Sequence, residues 1–571
     1  MAITTAKQLV AAYKRHGSLK AAARKTGTTW GTAHKMYVKA LAEGLMEAIP
    51  RGRTSKERII QIIKQPAIGG RRKALKAIPI ERHPEKVTRY LFTCAQNNTK
   101  LHEGFWESLL ALKSHYNAQL HVSRFAYVQT GFGTRGNKKN YFASAPENFK
   151  TVQDFWFDER IVPFISDDRR EVAPGLVWCG EANILPTAAR PLSGLETFTG
   201  RSSGIFPHVK IAMDSVPSGK FDPVKFNYTT GTVTQRNYIQ RKEGLKAEFH
   251  HCYGALLVEV DPEGNWWCRQ INADSEGTIY DLDVCVKRGV VSRPGPGESF
   301  VEGAKWGDIH LAQIDPSVRK AIWGKDGILD FLHPKYQFMD DILDFFARNH
   351  HEIDDPHSML QRYVQRKDNV EAEVSEVAQF LTGEASRPWV NTVVVNSNHD
   401  RALMRWLKNK HVQRDPVNIA FWHKMNTRVA QRIIEDGVPP VILREAFFQV
   451  AGVNKEPKKL KFLAQDDSFI ICPQAGGGIE NGQHGDDGAD GSRGSTAAFA
   501  RMGRKINKGH DHRAAIYDSV YSGGCCCDLQ NPPSYAHGPS SWSNSHTITY
   551  VNGKRAILTM WGPERKAWAD R

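Results

Sequence analysis

The chain of 571 residues has no long apolar run: nothing in it approaches the roughly 20 consecutive apolar residues that cross a bilayer. Its first residues, Met1-Ala2-Ile3-Thr4-Thr5, lack the charged start, apolar core and small-residue cleavage site of a secretory leader. No membrane partner is expected, and residence in the cytoplasm is. Cysteine is scarce, nine residues with no Cys-x-x-Cys pair, which excludes a dense disulfide framework and fits reduced thiols. The contiguous Cys525, Cys526 and Cys527 read as buried apolar residues, since adjacent side chains diverge too far to grip one soft metal. Acidic residues are nearly missing from the first 90 positions, which hold 20 Lys and Arg against Glu43, Glu47, Glu57, Glu81 and Glu85. That surplus of 15 is almost the whole net charge of +16, so the rest of the chain is close to neutral. A basic block at one end is the footprint of a polyanion, with nucleic acid and an anionic membrane surface as the two candidates.

What is present is an ordinary globular composition, 40% hydrophobic and 24% charged, in a chain too long for one core. The expected class is α/β, in four segments. Residues 1–50 read as three short helices. Leu9, Val10 and Tyr13 line the first, Gly17-Ser18 separates it from the second, and Gly27-Thr28-Thr29 separates the second from the third, which starts at Trp30. The outline resembles the helix-turn-helix modules of phage and bacterial DNA-binding proteins. That resemblance puts Thr28, Thr29, Trp30, Thr32, His34 and Lys35 where a recognition helix meets the major groove. A small docking domain is the alternative. Residues 51–86 stay basic, with Arg51 and Arg53 among the phosphate contacts expected of a linker that tracks DNA.

From residue 87 the pattern changes. Thr88–Thr93 reads as a strand, His102–Ala118 as an amphipathic helix and Gln119–Ser123 as a strand, a βαβ unit opening an α/β segment 87–303 of open role. Gly175–Trp178, Val209–Met213 and Gly254–Val260 continue it. Ala95–Thr99 is read there as turn chemistry, and His250-His251 as packed histidines rather than a chelate, because neighbours on a strand face opposite sides.

The chemistry sits in residues 304–571. Asp308 and His310 are two apart, so on a strand both would face one way and could grip one cation. Tyr336–Met339 reads as a buried strand ending in Asp340-Asp341. Thr392–Asn396 is another, followed by Ser397-Asn398-His399-Asp400; a histidine held by a carboxylate keeps its donor tautomer and can protonate a leaving alkoxide. Gly509-His510-Asp511-His512 again projects two imidazoles together if extended. A hairpin around Asn552-Gly553 is expected to finish the second sheet.

Taken in order, these pieces resemble the motifs of the calcineurin-like metallophosphoesterase superfamily over about residues 304–525, with Ser397 in place of a Gly and Asp340 where the second motif has one. The basic end makes the SbcD-type DNA nucleases the best-fitting branch, and in overall arrangement the chain is similar to the early DNA-degradation proteins of T5-like phages. The resemblance implies a four-layer αββα sandwich holding two divalent ions, Mn²⁺ first, with Fe, Zn or Mg as alternatives. It implies Asp308, His310, Asp341, Asn398, His484, His510 and His512 as metal ligands, Asp341 bridging unless Asp340 does. For the loop histidine, His411 and His423 are the alternatives to His484. His399 would serve the leaving group, oriented by Asp400, and Arg401, Arg405 and His350-His351 could touch phosphate. The function expected is metal-dependent hydrolysis of DNA phosphodiester bonds, endo- or exonucleolytic, by a homo-oligomer in a host cytoplasm. The alternatives are a phosphatase or phosphodiesterase acting on a non-DNA ester and a DNA-binding regulator with a degenerate catalytic domain.

Overall fold

The three-helix reading of the N-terminus holds at the level of secondary structure: α1 (Ala6–His16), α2 (Leu19–Lys25) and α3 (Trp30–Ala42). In the computed structural model the described residues are 4–16, 19–43, 45, 77–125, 127, 157–219, 222–349, 352–532 and 538–570. Arg51, Arg53 and the rest of 51–76 lie outside them, as do His350 and His351. Two units result, Met1–Ile60 and Gln61–Arg571. In the first, Leu9, Ala22, Ala23 and Ala33 form the buried seam, with Ala12, Leu19, Met36 and Tyr37 packed against it. Three alanines in that seam let the helices approach closely. Gly27 takes a left-handed turn, and the Thr29 hydroxyl accepts the Thr32 N–H at 3.3 Å to start α3. Thr29, Thr32 and Lys35 are exposed; Thr28 and His34 are half-buried.

The second unit begins with β1 (Ile78–Pro79), β2 (Thr88–Gln96), β3 (Gln119–Phe125), β4 (Arg169–Ala173), β5 (Leu176–Cys179), β6 (Ser203–Phe206), β7 (Met213–Val216), β8 (Lys225–Thr229), β9 (Gly254–Val260) and β10 (Trp266–Asn272). A small antiparallel sheet follows, made of β11 (Ile279–Asp281), β12 (Val284–Lys287) and β13 (Val290–Ser292). The last run is β14 (Val301–Lys305), β15 (Tyr336–Met339), β16 (Asn391–Val394), β17 (Leu460–Phe462), β18 (Ile470–Ile471), β19 (Ile479–Glu480), β20 (Lys505–Lys508), β21 (Ala515–Tyr517), β22 (Val520–Ser522), β23 (Ser545–Tyr550) and β24 (Arg555–Thr559).

Three larger sheets organise these strands. One has eleven, in the order β1-β4-β5-β6-β8-β7-β21-β22-β20-β19-β18; one has six, β17-β16-β15-β14-β23-β24; one has four, β10-β9-β2-β3. Both smaller sheets face the large one. Successive residues of β15 show why: Phe338 points to Ile471 and Ile479 of the large sheet, while Met339 joins Val318, Leu381, Trp406 and Phe447 of the covering helices. On the four-stranded sheet, Tyr90, Phe92, Leu256 and Val258 meet Trp178, Ile205 and Tyr228, and the alternate residues Leu91 and Leu257 meet Phe105 and Leu109 of the helix Glu103–His115. Near-continuous apolar runs such as Gly254–Val260 are what strands buried on both faces require.

Several expectations change. Residues 87–303 and 304–571 are not separate compact domains: β7 pairs with β21, so one sheet runs through both. Residues 77–86, expected as linker, include β1, which pairs with β4. Within Val209–Met213 only Met213 is strand. The hairpin β23·β24 joins the six-stranded sheet beside β14, not the other sheet. The chain is α/β with helices outside paired sheets, and no helix among the described residues is long and apolar enough to cross a membrane.

Three buried histidines give the fold a pH dependence. His208, His251 and His546 are 1%, 5% and 0% exposed. His208 Nδ1 accepts the Lys210 N–H and His546 Nδ1 accepts the Gly307 N–H, while His251 Nδ1 takes the Tyr238 hydroxyl, all bonds that a protonated ring would lose. Burial holds them down to about 4, about 3 and about 3. Below about 6.5 the unfolded chain binds protons that the folded chain refuses, so this stability is complete above that pH and is lost as pH falls toward 4. Each ring contributes about 1.4 kcal/mol per pH unit in that window. The thermal midpoint should therefore drop between pH 7 and 5, and His546→Gln should flatten the drop; an unchanged slope would contradict the assignment.

Candidate metal centre

Parallel strands β14, β15 and β16 bring their C-terminal ends to one edge, where the loops after β19 and β20 also arrive. The loop after β14 carries Asp308 and His310; that after β15 carries Asp340, Asp341 and Asp344. Beyond β16, Ser397 caps the helix Asn398–Leu407, accepting the Asp400 N–H at 3.3 Å, and so sets Asn398 and His399 in its first turn. His484 follows β19, and His510 and His512 follow β20.

The local backbone is not the extended chain that the two-residue spacings suggested. Strand β14 ends at Lys305, and His310, Asp341, His510 and His512 all have positive φ, at 47°, 47°, 71° and 53°. Left-handed residues with side chains are uncommon and cluster where surrounding structure imposes them. Here they turn side chains inward from short loops, which strand alternation alone cannot do.

The side chains converge. Asp308 Oδ2 lies 3.0 Å from His512 Nε2 and also accepts the His510 N–H at 2.7 Å. His310 Nε2 lies 3.1 Å from His512 Nε2 and 3.7 Å from Asp341 Oδ2. Its other nitrogen is 2.9 Å from Asp344 Oδ1, which fixes Nδ1 as the donor and leaves the Nε2 lone pair facing the cluster. His484 Nε2 is 3.2 Å from Asp341 Oδ2 and 3.1 Å from Asn398 Oδ1. Asp308, His310, Asp341 and His512 each offer a ligand atom within 4.8 Å of the others, as do Asp308, Asp340 and His484, and His310, Asp344 and His399.

Charge and hydrogen bonding both call for cations. Asp308 Oδ1, Asp341 Oδ1 and His484 Nδ1 are buried without a hydrogen-bond partner. Burial pushes the Asp308 carboxyl up, but the His512 and His484 rings beside it bring it down to about 2. Burial likewise opposes ionisation of Asp341, and the His484 and His399 rings outweigh it, holding it well below the usual range. Asp341 in turn holds His484 well above the usual imidazole range despite burial. The His484 ring, held in its protonated form, thus compensates carboxylates that a metal ion would otherwise compensate. The cradle is tight: a Cβ on Gly509 would stand 2.1 Å from Asp308 Oδ1. Buried Asp and His groups able to hold metal ions are therefore present, and they include Asp308, His310, Asp341, His484 and His512, picked from the sequence.

Other assignments change in detail. Asp340 is occupied by Lys305, whose Nζ is 3.0 Å from Oδ1, leaving Asp341 between the two histidine groups. Asp400 does not hold the His399 ring; His399 Nδ1 donates to the Asp344 carbonyl at 2.8 Å, and Asp400 is buried with its carboxyl pushed up to about 8, by burial first and then by Asp341. Asp344 is the residue that reading the sequence missed, although its place three residues after Asp341 was a usable signal. His423 is exposed on the helix Ile419–Asp436, and His411 lies in the short helix Lys410–Arg414. Arg401 pairs with Asp486 and Asp487, and Arg405 reaches the Asn398 carbonyl at 3.4 Å. Cys525, Cys526 and Cys527 are fully buried behind the first loop, where the Cys526 N–H donates to the Asp308 carbonyl at 2.8 Å.

Fold and site together define a mixed α/β protein with a buried carboxylate and histidine centre fit for metal. Over 481 residues, 82% of its length, the chain is 35% identical to Protein A1 of Escherichia phage T5, covering 81% of that protein. The chain belongs to the family of this phage protein. No protein-family model and no solved structure matches it.

Proposed function

We propose that the chain is a metal-dependent DNA nuclease of the calcineurin-like metallophosphoesterase type, built around two divalent ions. The observation that carries the reading is the convergence of ligand-type side chains from five separate loops, with Asp341 Oδ2 lying between His310 and His484. Asp308, His310, Asp341 and His512 would hold one ion, and Asp341, Asn398, His484 and His510 the other. Mixed carboxylate, amide and imidazole donors suit Mn²⁺, with Fe, Zn or Mg as alternatives. Two such ions supply Lewis-acid polarisation of a phosphoryl oxygen and a nucleophile at neutral pH.

The remaining steps belong to the chain. With Nδ1–H engaged by the Asp344 carbonyl, His399 has Nε2 to offer, and its side chain is 17% exposed, so a leaving oxygen can reach it for protonation. Asp344 holds both His310 and His399, linking ligand geometry to acid catalysis. The basic N-terminal surplus supports DNA as substrate. In this reading the three-helix unit is a helix-turn-helix presenting Thr28, Thr29, Trp30, Thr32, His34 and Lys35, and Arg51 and Arg53 track phosphates.

The test is the purified chain on linear and closed-circular DNA with Mn²⁺ and with chelator. Mn²⁺-dependent cutting of either supports the reading, and cutting of circles identifies an endonuclease. Hydrolysis of p-nitrophenyl phosphodiesters with both DNAs intact would overturn DNA as substrate. Inactivity on all three would overturn the enzyme.

A further inference from the structure

Residues 88–292 repeat the architecture that carries the metal centre. In the six-stranded sheet, β14 pairs parallel with β15 and antiparallel with β23, which forms a hairpin with β24. In the four-stranded sheet, β2 pairs parallel with β3 and antiparallel with β9, which forms a hairpin with β10. Within the large sheet, β18-β19-β20-β22-β21 pair antiparallel, parallel, parallel and antiparallel. The run β4-β5-β6-β8-β7 pairs in the same sequence of orientations. The chain visits corresponding strands in the same order in both halves, and the halves meet where β7 crosses to β21. Strands β16 and β17 and the helices around them have no counterpart among the described residues.

Register aligns the residues. The parallel bridges Cys94↔Thr232 and Asp308↔Cys525 occupy equivalent places, so Cys94 stands at Asp308 and Gln96 at His310. Facing fixes the neighbouring strand: His121, paired with Phe92, and Phe338, paired with Lys305, both face the large sheet, which puts Ser123 at Asp340. The pairs Phe206↔Thr229 and Lys508↔Ser522 put His208 at His510 and Lys210 at His512. A thiol, an amide and a lysine thus replace three ligands. The surviving histidine has both nitrogens engaged, one by the Lys210 N–H and the other with the Leu185 carbonyl.

The second copy keeps a cleft at the same strand ends. It encloses about 210 Å³ between Gln96, Asn97, Asn98, Tyr127, Asn237 and Tyr238. Gln96, at the position of a metal ligand in the other copy, is 2% exposed; its Nε2 donates to the Asn237 carbonyl, and its Oε1 has no partner. A buried acceptor left open in a polar cleft calls for a donor from a ligand. The Tyr127 and Tyr238 rings lie edge to face at 5.5 Å, and the exposed Lys100 and Arg236 flank the site in sequence.

We propose that this half is a metal-free binding copy of the catalytic fold, and that its cleft takes one nucleobase of the DNA. The Gln96 oxygen accepts from an exocyclic amine and a tyrosine ring stacks on the base. The inference rests on the DNA reading above. Amide edges paired with aromatic faces are the chemistry by which unstacked bases are held, and stacking contributes about 1–3 kcal/mol per base.

The test uses deoxycytidine and thymidine in chelator. An uncharged nucleoside gives the basic arm nothing to bind, and chelation removes any metal, so neither can contribute. Saturation transfer from the intact chain to deoxycytidine, weaker to thymidine and reduced at least about fivefold in both Gln96→Met and Tyr127→Ala, is the expected result. No transfer from the wild type, or equal transfer in both variants at unchanged thermal midpoints, overturns the proposal. Should Gln96→Met fail to fold, the more accessible Tyr127→Ala decides alone. Mn²⁺-dependent DNA cutting measured beside it separates the outcomes: cutting without nucleoside binding sinks only this inference, whereas loss of cutting sinks the nuclease reading.

Discussion

Asp341→Asn is expected to remove Mn²⁺-dependent phosphodiester hydrolysis and, with it, the stabilisation that Mn²⁺ gives the folded chain. The asparagine keeps the shape and removes the charge from the one oxygen that lies 3.7 Å from His310 Nε2 and 3.2 Å from His484 Nε2. Losing a partner outside the ligand shell costs roughly 10- to 100-fold in metal affinity. In the proposed two-ion centre, a shared carboxylate should cost more than the top of that range. Metal at 100 times its Kd adds about 2.7 kcal/mol to stability, so the wild type should melt higher with Mn²⁺ than with chelator, while the variant melts alike in both. In chelator the variant should fold, since the substitution removes a buried charge next to Asp308 and Asp400. An equal upward shift in variant and wild type would show that Asp341 is not a ligand.

His399→Ala should separate chemistry from metal binding. General acid catalysis contributes about 10²- to 10⁴-fold, and kcat on DNA should fall within that range while the Mn²⁺-induced rise in thermal midpoint is kept. The leaving group supplies the diagnostic contrast. An alkoxide leaving from DNA needs a proton, whereas p-nitrophenolate leaves readily without one, so the loss on an activated ester should be much smaller. Equal losses on both substrates would remove His399 from the acid role and make it a positioning residue. Asp344→Asn is the companion measurement: its carboxylate holds His310, whereas the carbonyl that His399 Nδ1 donates to is backbone and survives the substitution, so it should reduce metal stabilisation through His310.

Much of the site was legible in the chain because its chemistry is carried by residue type. Asp308, His310, Asp341, Asn398, His484, His510 and His512 were picked from ordered short motifs, and the side chains of Asp308, His310, Asp341, Asn398, His484 and His512 converge. What misled was backbone geometry. The two-residue spacings of Asp308 and His310, and of His510 and His512, were read as strand alternation, yet the strands stop earlier and left-handed turns aim the rings. Nothing in a spacing reports the sign of φ. Asp400 was assigned to orient His399 by adjacency, but adjacent residues in a helical turn point about 100° apart, and the orienting contact comes from Asp344 in another loop.

By itself the sequence determined which residues could bind metal, where charge accumulates and which short runs become strands, since each depends on side-chain identity or local periodicity. Tertiary structure alone decided that the supposed boundary near residue 303 lies inside one continuous sheet. It also decided which carboxylate sits between the histidines, and that residues 88–292 repeat the strand order of the half that carries the carboxylate and histidine cluster. Strand pairing is made between residues far apart in the chain, through backbone groups that every residue shares. An architecture can therefore recur where the side chains that advertised it have been replaced.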